Sequence, residues 1–170
     1  KILTGHALGR RMAARFIAGE ELEDALQVVR RLNAEGFMVT LDLLGESVQE
    51  AAEAEAACQA YLHILDRLAV EGLNSHVSLK LTQLGLAIDE GLACRHLKLL
   101  CACAAKYRNF VRVDMEGSAF TEATLRVFRT VNAPRHVAGI VIQSYLYRSD
   151  RDVEELLKSG ARIRLVKGAY

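Results

Sequence analysis

The sequence predicts an α/β fold, a (βα)8 TIM-like barrel of which about five βα units are present. Three observations carry this. From Glu20 onward, helical patterns alternate with short β-rich runs, and each β run closes on a polar residue or glycine. The runs FMVTLDLL, HVSLKL and GIVIQ are apolar at most positions, as strands of a parallel sheet covered on both faces are. The turn after the first run reads Leu44-Gly45-Glu46 and lacks the G-x-G-x-x-G of a dinucleotide-binding open sheet, which tilts the choice towards a barrel.

The elements follow in order. Glu20 to Glu35 places Leu22, Ala25, Leu26, Val29 and Leu32 on one helical face, and Gly36 stops the helix. A strand over Phe37 to Leu44 comes next. A second helix runs from about Ser47 to Val70, with Ser47 as N-cap and Glu50 at capping-box spacing. The remaining pairs are a strand from His76 to Leu81 and a helix from about Asp89 to Lys106, then a strand from Phe110 to Met115 and a helix from about Thr121 to Val131. The strand Ala138 to Gln143, the helix Asp150 to Lys158 and the strand Arg162 to Lys167 complete the series.

Composition limits the function classes. With 170 residues, 51% hydrophobic, 25% charged and a single proline, the chain is composed like one globular domain. Lys plus Arg number 22 against 21 Asp plus Glu, and the net charge of +1 gives no electrostatic footprint for nucleic acid or an anionic membrane. No run approaches the ~20 apolar residues of a membrane span. Lys1 to His6 has no signal-peptide pattern, so a cytoplasmic address is expected. Cys58, Cys94, Cys101 and Cys103 all fall in helical patterns without the paired spacing of a zinc ribbon or disulfide framework. They read as reduced cysteines, and no metal site is expected.

In a parallel barrel the site is built where the strands end. The strand ends offer Asp42 and Glu46, then Lys80 with Thr82 and Gln83, Asp114 with Glu116, Gln143 with Ser144 and Tyr145, and Arg164 with Lys167. Lys80 is the most informative, because a lysine between Leu79 and Leu81 in an enclosed strand needs a partner. Alternation puts Ser78, Lys80 and Thr82 on one face. Either Lys80 points into the barrel mouth towards a ligand, or it makes a structural ion pair with Asp114 or Glu46. The same alternation puts Arg112, Asp114 and Glu116 together, so Asp114 either orients a substrate or neutralises Lys80 or Arg112. Arg164, Lys167, Gly168 and Ala169 read as an anion-binding corner or as a surface turn with a solvated lysine.

Five motifs in order, DLLGE (Asp42 to Glu46), SLKLTQLG (Ser78 to Gly85), VRVDMEGS (Val111 to Ser118), VIQSYLYR (Val141 to Arg148) and RLVKGAY (Arg164 to Tyr170), resemble the strand motifs of proline dehydrogenases. Arg15 to Glu20 resembles the lead-in to that family's barrel. The resemblance implies a distorted barrel holding FAD over the strand ends, with L-proline oxidised to Δ1-pyrroline-5-carboxylate by hydride transfer. It implies that Lys80 pairs with the proline carboxylate, that Asp114 organises the pocket and that Glu46 helps to gate it. It further implies that Gln143 bonds the flavin ring, that Met115 lines it, that Arg164 sits beside the reactive nitrogen and that Lys167, Gly168 and Ala169 hold the cofactor. A membrane quinone as electron acceptor, reached by peripheral contact, and a pyrroline-5-carboxylate dehydrogenase as partner are implied in the same way.

The family's barrel has three more strands and a last helix carrying an arginine pair, so the chain is expected to be an N-terminal fragment. Its open strand edges are expected to make it self-associate and to leave it with little activity. Two rivals stand beside this reading: a non-catalytic remnant, and a Schiff-base aldolase using Lys80 or Lys167 as nucleophile.

Overall fold

Short runs rich in valine, isoleucine and leucine, each separated from the next by one amphipathic helix, can pair only in parallel, because the chain must cross back before each new strand. The computed structural model of the chain describes residues 18–19, 21–45, 48–132 and 137–168. Its strands are β1 (Val39–Asp42), β2 (Ser75–Leu79), β3 (Val111–Val113), β4 (Ala138–Gln143) and β5 (Arg162–Val166), and its helices α1 (Leu22–Ala34), α2 (Ala51–Val70), α3 (Glu90–Lys106), α4 (Ser118–Asn132) and α5 (Ser149–Lys158). The strands form one five-stranded parallel sheet in the order β1-β2-β3-β4-β5. The order never reverses, so the doubly wound alternative, which requires a switch point, is excluded.

Right-handed crossovers between consecutive neighbours put every helix on the same face of the sheet. Accordingly α2 packs on α3 and α3 on α4. Val77, Leu79, Val111, Val113, Ile140 and Ile142 face these helices and are all buried. Burying a side chain of this size is worth roughly 1.5–3 kcal/mol. The other face carries a row of register partners, Asp42, Ser78, Arg112, Gly139 and Arg162. This face is concave: the Arg164 Nη2 on β5 donates to Thr40 Oγ1 on β1 at 3.4 Å, so the last strand curls back to within one side chain of the first.

Several boundaries differ from those expected, among them that of β2, which ends at Leu79 and leaves Lys80 and Leu81 just beyond the strand. The first strand starts at Val39, because Gly36 adopts φ +89° and the Phe37 amide bonds the Leu32 carbonyl at 2.9 Å, which makes Phe37 and Met38 part of the helix stop. The helix expected from Ser47 begins at Ala51 instead, with Glu50 as N-cap, and its capping box pairs Glu50 with Glu53. The Glu53 carboxylate accepts the amides of Gln49 (3.0 Å) and Glu50 (3.3 Å), a favourable place for negative charge at a helix start. Ser47 lies outside the described residues. The strand expected to reach Met115 ends at Val113, and the helix after it begins at Ser118 rather than Thr121. The Asp89 cap holds: its carboxylate accepts the Leu92 amide at 2.7 Å. Cys58 and Cys101 are buried, Cys94 and Cys103 half-buried, and among the described residues none of the four is in a disulfide.

At the amino-terminal end of the concave face, His76 Nε2 lies 3.0 Å from Thr40 Oγ1. Burial, and then the charges of Arg112 and Arg164, hold this imidazole below its ordinary value of 6.5. A depressed folded-state value contributes stability that is complete above the unfolded value and lost as the pH falls through the window beneath it. Thermal denaturation should therefore show a midpoint that drops between about pH 7.5 and about pH 5. His76→Gln should show a smaller drop. An equal drop in both proteins assigns the effect to other groups.

Candidate active site at the strand ends

The carboxyl ends of β2 to β5 surround a concavity of about 380 Å³, and Lys80, Asp114, Met115, Gln143, Arg164 and Gly168 line it together with Val141 and Val166. Parallel strands deliver these groups to one place because all five run in the same direction. Lys80 directly follows β2, its side chain only 14% exposed, with its Nζ 3.3 Å from Asp42 Oδ2 and 3.9 Å from Asp114 Oδ2. The ammonium thus sits between two carboxylates from the flanking strands. Each carboxylate has a hydroxyl of its own: Ser78 Oγ donates to Asp114 Oδ1 at 2.7 Å, and Tyr61 Oη lies 3.2 Å from Asp42 Oδ1. Burial pushes the Asp114 carboxyl up, while the Ser78 hydrogen bond and the Lys80 charge pull it down.

On the other side of the concavity, Gln143 is 3% exposed and donates through Nε2 to the Met115 carbonyl at 3.0 Å. That bond fixes the amide, and its Oε1 is buried with no hydrogen-bond partner among the described residues. A buried acceptor left unmatched costs about 1–3 kcal/mol, so a donor from water or from a bound molecule would stabilise this wall. Arg164 also lines the concavity, and its Nη2 reaches across the concave face to Thr40 Oγ1 on β1 at 3.4 Å. Gly168 has φ +104°, and a Cβ there would lie 2.1 Å from Tyr145 Cδ1, so only glycine lets the chain pass under that ring.

A family model for proline dehydrogenase matches residues 25–170. The chain belongs to the proline dehydrogenase family. Proline dehydrogenase 1 of Bacillus subtilis (strain 168) is 39% identical over 165 residues, which is 96% of this chain and 55% of the relative. Proline dehydrogenase of Deinococcus radiodurans is 36% identical, over 94% of this chain and 53% of its own. The chain therefore spans about half the length of these curated relatives. Bifunctional protein PutA of Escherichia coli is 30% identical over 95% of this chain and 14% of its own. Among solved structures, proline utilization A from Bdellovibrio bacteriovorus, inactivated by N-propargylglycine, superposes with a TM-score of 0.86 at 27% identity, covering 95% of this chain and 20% of that one. The five strands and their helices thus share the TIM-like barrel geometry of the proline dehydrogenase family.

Against the proline dehydrogenase pattern, the concavity gathers six of the residues singled out from sequence: Lys80, Asp114, Met115, Gln143, Arg164 and Gly168. Lys167 is exposed and its side chain does not line the concavity; what it contributes is a backbone carbonyl, which accepts from the Tyr145 amide at 3.0 Å. Glu46 and Ala169 lie outside the described residues. Glu116 does not join Asp114 on the concave face. Because β3 ends at Val113, alternation no longer holds there, and Glu116 is buried, accepting the Thr82 amide at 3.2 Å and the Thr82 hydroxyl. Two residues meet the site in roles that the sequence did not assign to them. Asp42, a strand-end carboxylate, makes the closer ion pair to Lys80, and Tyr61 reaches the strand ends from a helix.

Among the described residues, no helix is long and apolar enough to cross a membrane.

Proposed function

We propose that the protein containing this chain oxidises L-proline to Δ1-pyrroline-5-carboxylate with FAD as hydride acceptor, and that residues 1–170 supply the first five βα units of its barrel. The observation that carries this reading is the concavity itself, where a lysine held between two carboxylates faces an unmatched amide oxygen and an arginine. The wall fits a flavin. Gln143 Oε1 needs an N–H donor, which a flavin's polar edge offers, and Met115, Val141 and Val166 give apolar surface for a planar ring.

Lys80 binds the substrate carboxylate and so fixes which ring carbon faces the cofactor, a contribution of orientation as much as affinity. Asp42 and Asp114 hold the ammonium in place without replacing the substrate's charge. Arg164 supplies a fixed positive charge where negative charge develops during hydride transfer. Gln143 orients the bound ring, and the Gly168 backbone lets it approach. A bound FAD would supply the hydride acceptor for the carbon beside the amine. In the further reach of this proposal, Glu46 gates the pocket, Lys167 and Ala169 hold the cofactor, a membrane quinone reoxidises it at a peripheral contact on the cytoplasmic side, and a pyrroline-5-carboxylate dehydrogenase consumes the product.

The test uses the whole protein. It should purify yellow, and its visible absorption should bleach on anaerobic addition of L-proline, with a cyclic imine appearing in solution. The Bdellovibrio relative was inactivated by N-propargylglycine, and the same compound should abolish bleaching here. A colourless protein that forms a borohydride-trapped lysine adduct with a carbonyl substrate would establish the aldolase chemistry in its place. A reading frame that stops directly after Tyr170 would make the product a non-catalytic remnant.

A further inference from the structure

Tyr61 lies in the middle of α2, fully buried, where a helix residue would ordinarily serve the core. Its hydroxyl nevertheless gathers groups from three parts of the site. It accepts the Leu43 amide at 3.3 Å, just past β1. It also lies 3.2 Å from Asp42 Oδ1, 3.2 Å from the Ser78 carbonyl and 3.1 Å from Gln83 Oε1. A phenol has one proton to donate, and of these three acceptors Asp42 alone carries charge, which draws the stronger hydrogen bond. Burial, reinforced by the neighbouring Asp42 charge, holds Tyr61 as the protonated phenol, so it remains a donor. Gln83 extends the bracket: its Nε2 donates to the Leu43 carbonyl at 2.7 Å and its Oε1 faces the Lys80 amide at 3.4 Å.

We propose that Tyr61 is a positioning residue for substrate binding: it orients the Asp42 carboxylate, which in turn aims the Lys80 ammonium at the substrate's carboxylate. This rests on the reading of Lys80 as the carboxylate-binding group. One oxygen of Asp42 meets Tyr61 and the other meets Lys80, so the carboxylate cannot rotate without giving up one of the two contacts. The ring of Tyr61 is clamped within the helix-facing core, which makes its hydroxyl a fixed reference point for the carboxylate that meets the lysine.

The experiment compares Tyr61→Phe, Asp42→Asn and the double variant in the whole protein, using L-proline and pyrrolidine, the same ring without a carboxylate. Tyr61→Phe should raise KM for L-proline roughly tenfold, the loss of one hydrogen bond to a charged group, with kcat changed less than about twofold and pyrrolidine oxidation unaltered. Asp42→Asn should raise the same KM, and the double variant should be no worse than Asp42→Asn alone, because the two residues act in one chain. An unchanged KM in Tyr61→Phe, equal losses on both substrates, or additive effects overturn the proposal. If Tyr61→Phe does not fold by circular dichroism, Asp42→Asn decides: a raised KM for L-proline alone supports the proposal, and an unchanged KM overturns it. A wild-type protein without proline oxidation fells the proposed function and this inference together, whereas a wild type that oxidises proline beside an insensitive Tyr61→Phe fells this inference alone.

Discussion

Lys80→Met in the whole protein is expected to lower kcat/KM for L-proline by roughly 10²- to 10³-fold, as truncating one partner of a desolvated, hydrogen-bonded charge pair does. The loss should fall on binding and orientation together. Pyrrolidine, without a carboxylate for the ammonium to grip, should lose far less, so the preference for proline over pyrrolidine should collapse in the variant. Flavin content should not change, since the unmatched amide oxygen belongs to Gln143, which bonds Met115 and not Lys80. The structure adds a second consequence. Removing the ammonium leaves Asp42 and Asp114 facing the same space without the cation that lay 3.3 Å from one and 3.9 Å from the other. Asp114, already pushed up by burial, then moves further up, because its Lys80 attraction is gone and its repulsion from Asp42 stays. Comparative kinetics on the two substrates checks the first consequence, and titration of the variant's Asp114 carboxyl by NMR checks the second. A Lys80→Met protein that retains its proline preference excludes the lysine as the carboxylate anchor.

The second large effect is expected at Gly139, in the middle of β4. A Cβ there would lie 2.5 Å from Arg112 Nη1, 2.5 Å from Phe110 Cζ and 2.7 Å from the Arg162 carbonyl oxygen. The first neighbour is the end of a flexible side chain and can turn away. The third is backbone of β5, hydrogen-bonded into the sheet, and can yield only if β4 and β5 separate. Phe110 has little freedom either, with the guanidinium carbons of Arg112 and Arg162 4.7 and 5.1 Å from its ring centre and the His76 ring edge-on at 5.5 Å. Gly139→Ala should destabilise the protein by about 1–3 kcal/mol, the usual cost of overpacking, and Gly139→Val by more. Urea denaturation measures this. A midpoint within error of the wild type for Gly139→Val shows that the strand pair can open at no cost.

Much of this architecture is legible in the sequence because burial and periodicity write it there. A strand enclosed on both faces has to be apolar, so a charged residue such as Lys80 stands out against Leu79 and Leu81. Parallel pairing then carries such residues to a common end. What periodicity does not convey is where a strand stops. β3 ends two residues before Met115, and that is why Glu116 serves Thr82 and not the concave face. Lys167, three residues after the inward-facing Arg164, falls on the opposite face by the same alternation, in keeping with its exposure. Tyr61 was beyond reach for a different reason: in a buried helix face an aromatic residue is indistinguishable from core until the partners of its hydroxyl are seen. Asp42, visible as a strand-end carboxylate, became a site residue only once β1 and β2 were placed in register.

The order of the strands also bears on how the molecule is made. Each strand pairs with the one synthesised just before it, so a chain emerging from the ribosome can extend the sheet one unit at a time, with mostly short loops to close. The bond from Arg164 to Thr40 is the exception, spanning 124 residues. It must wait for the fifth strand. The helical layer can thus be in place while the concave face is still open, and the face that carries the proposed site is shaped late in assembly.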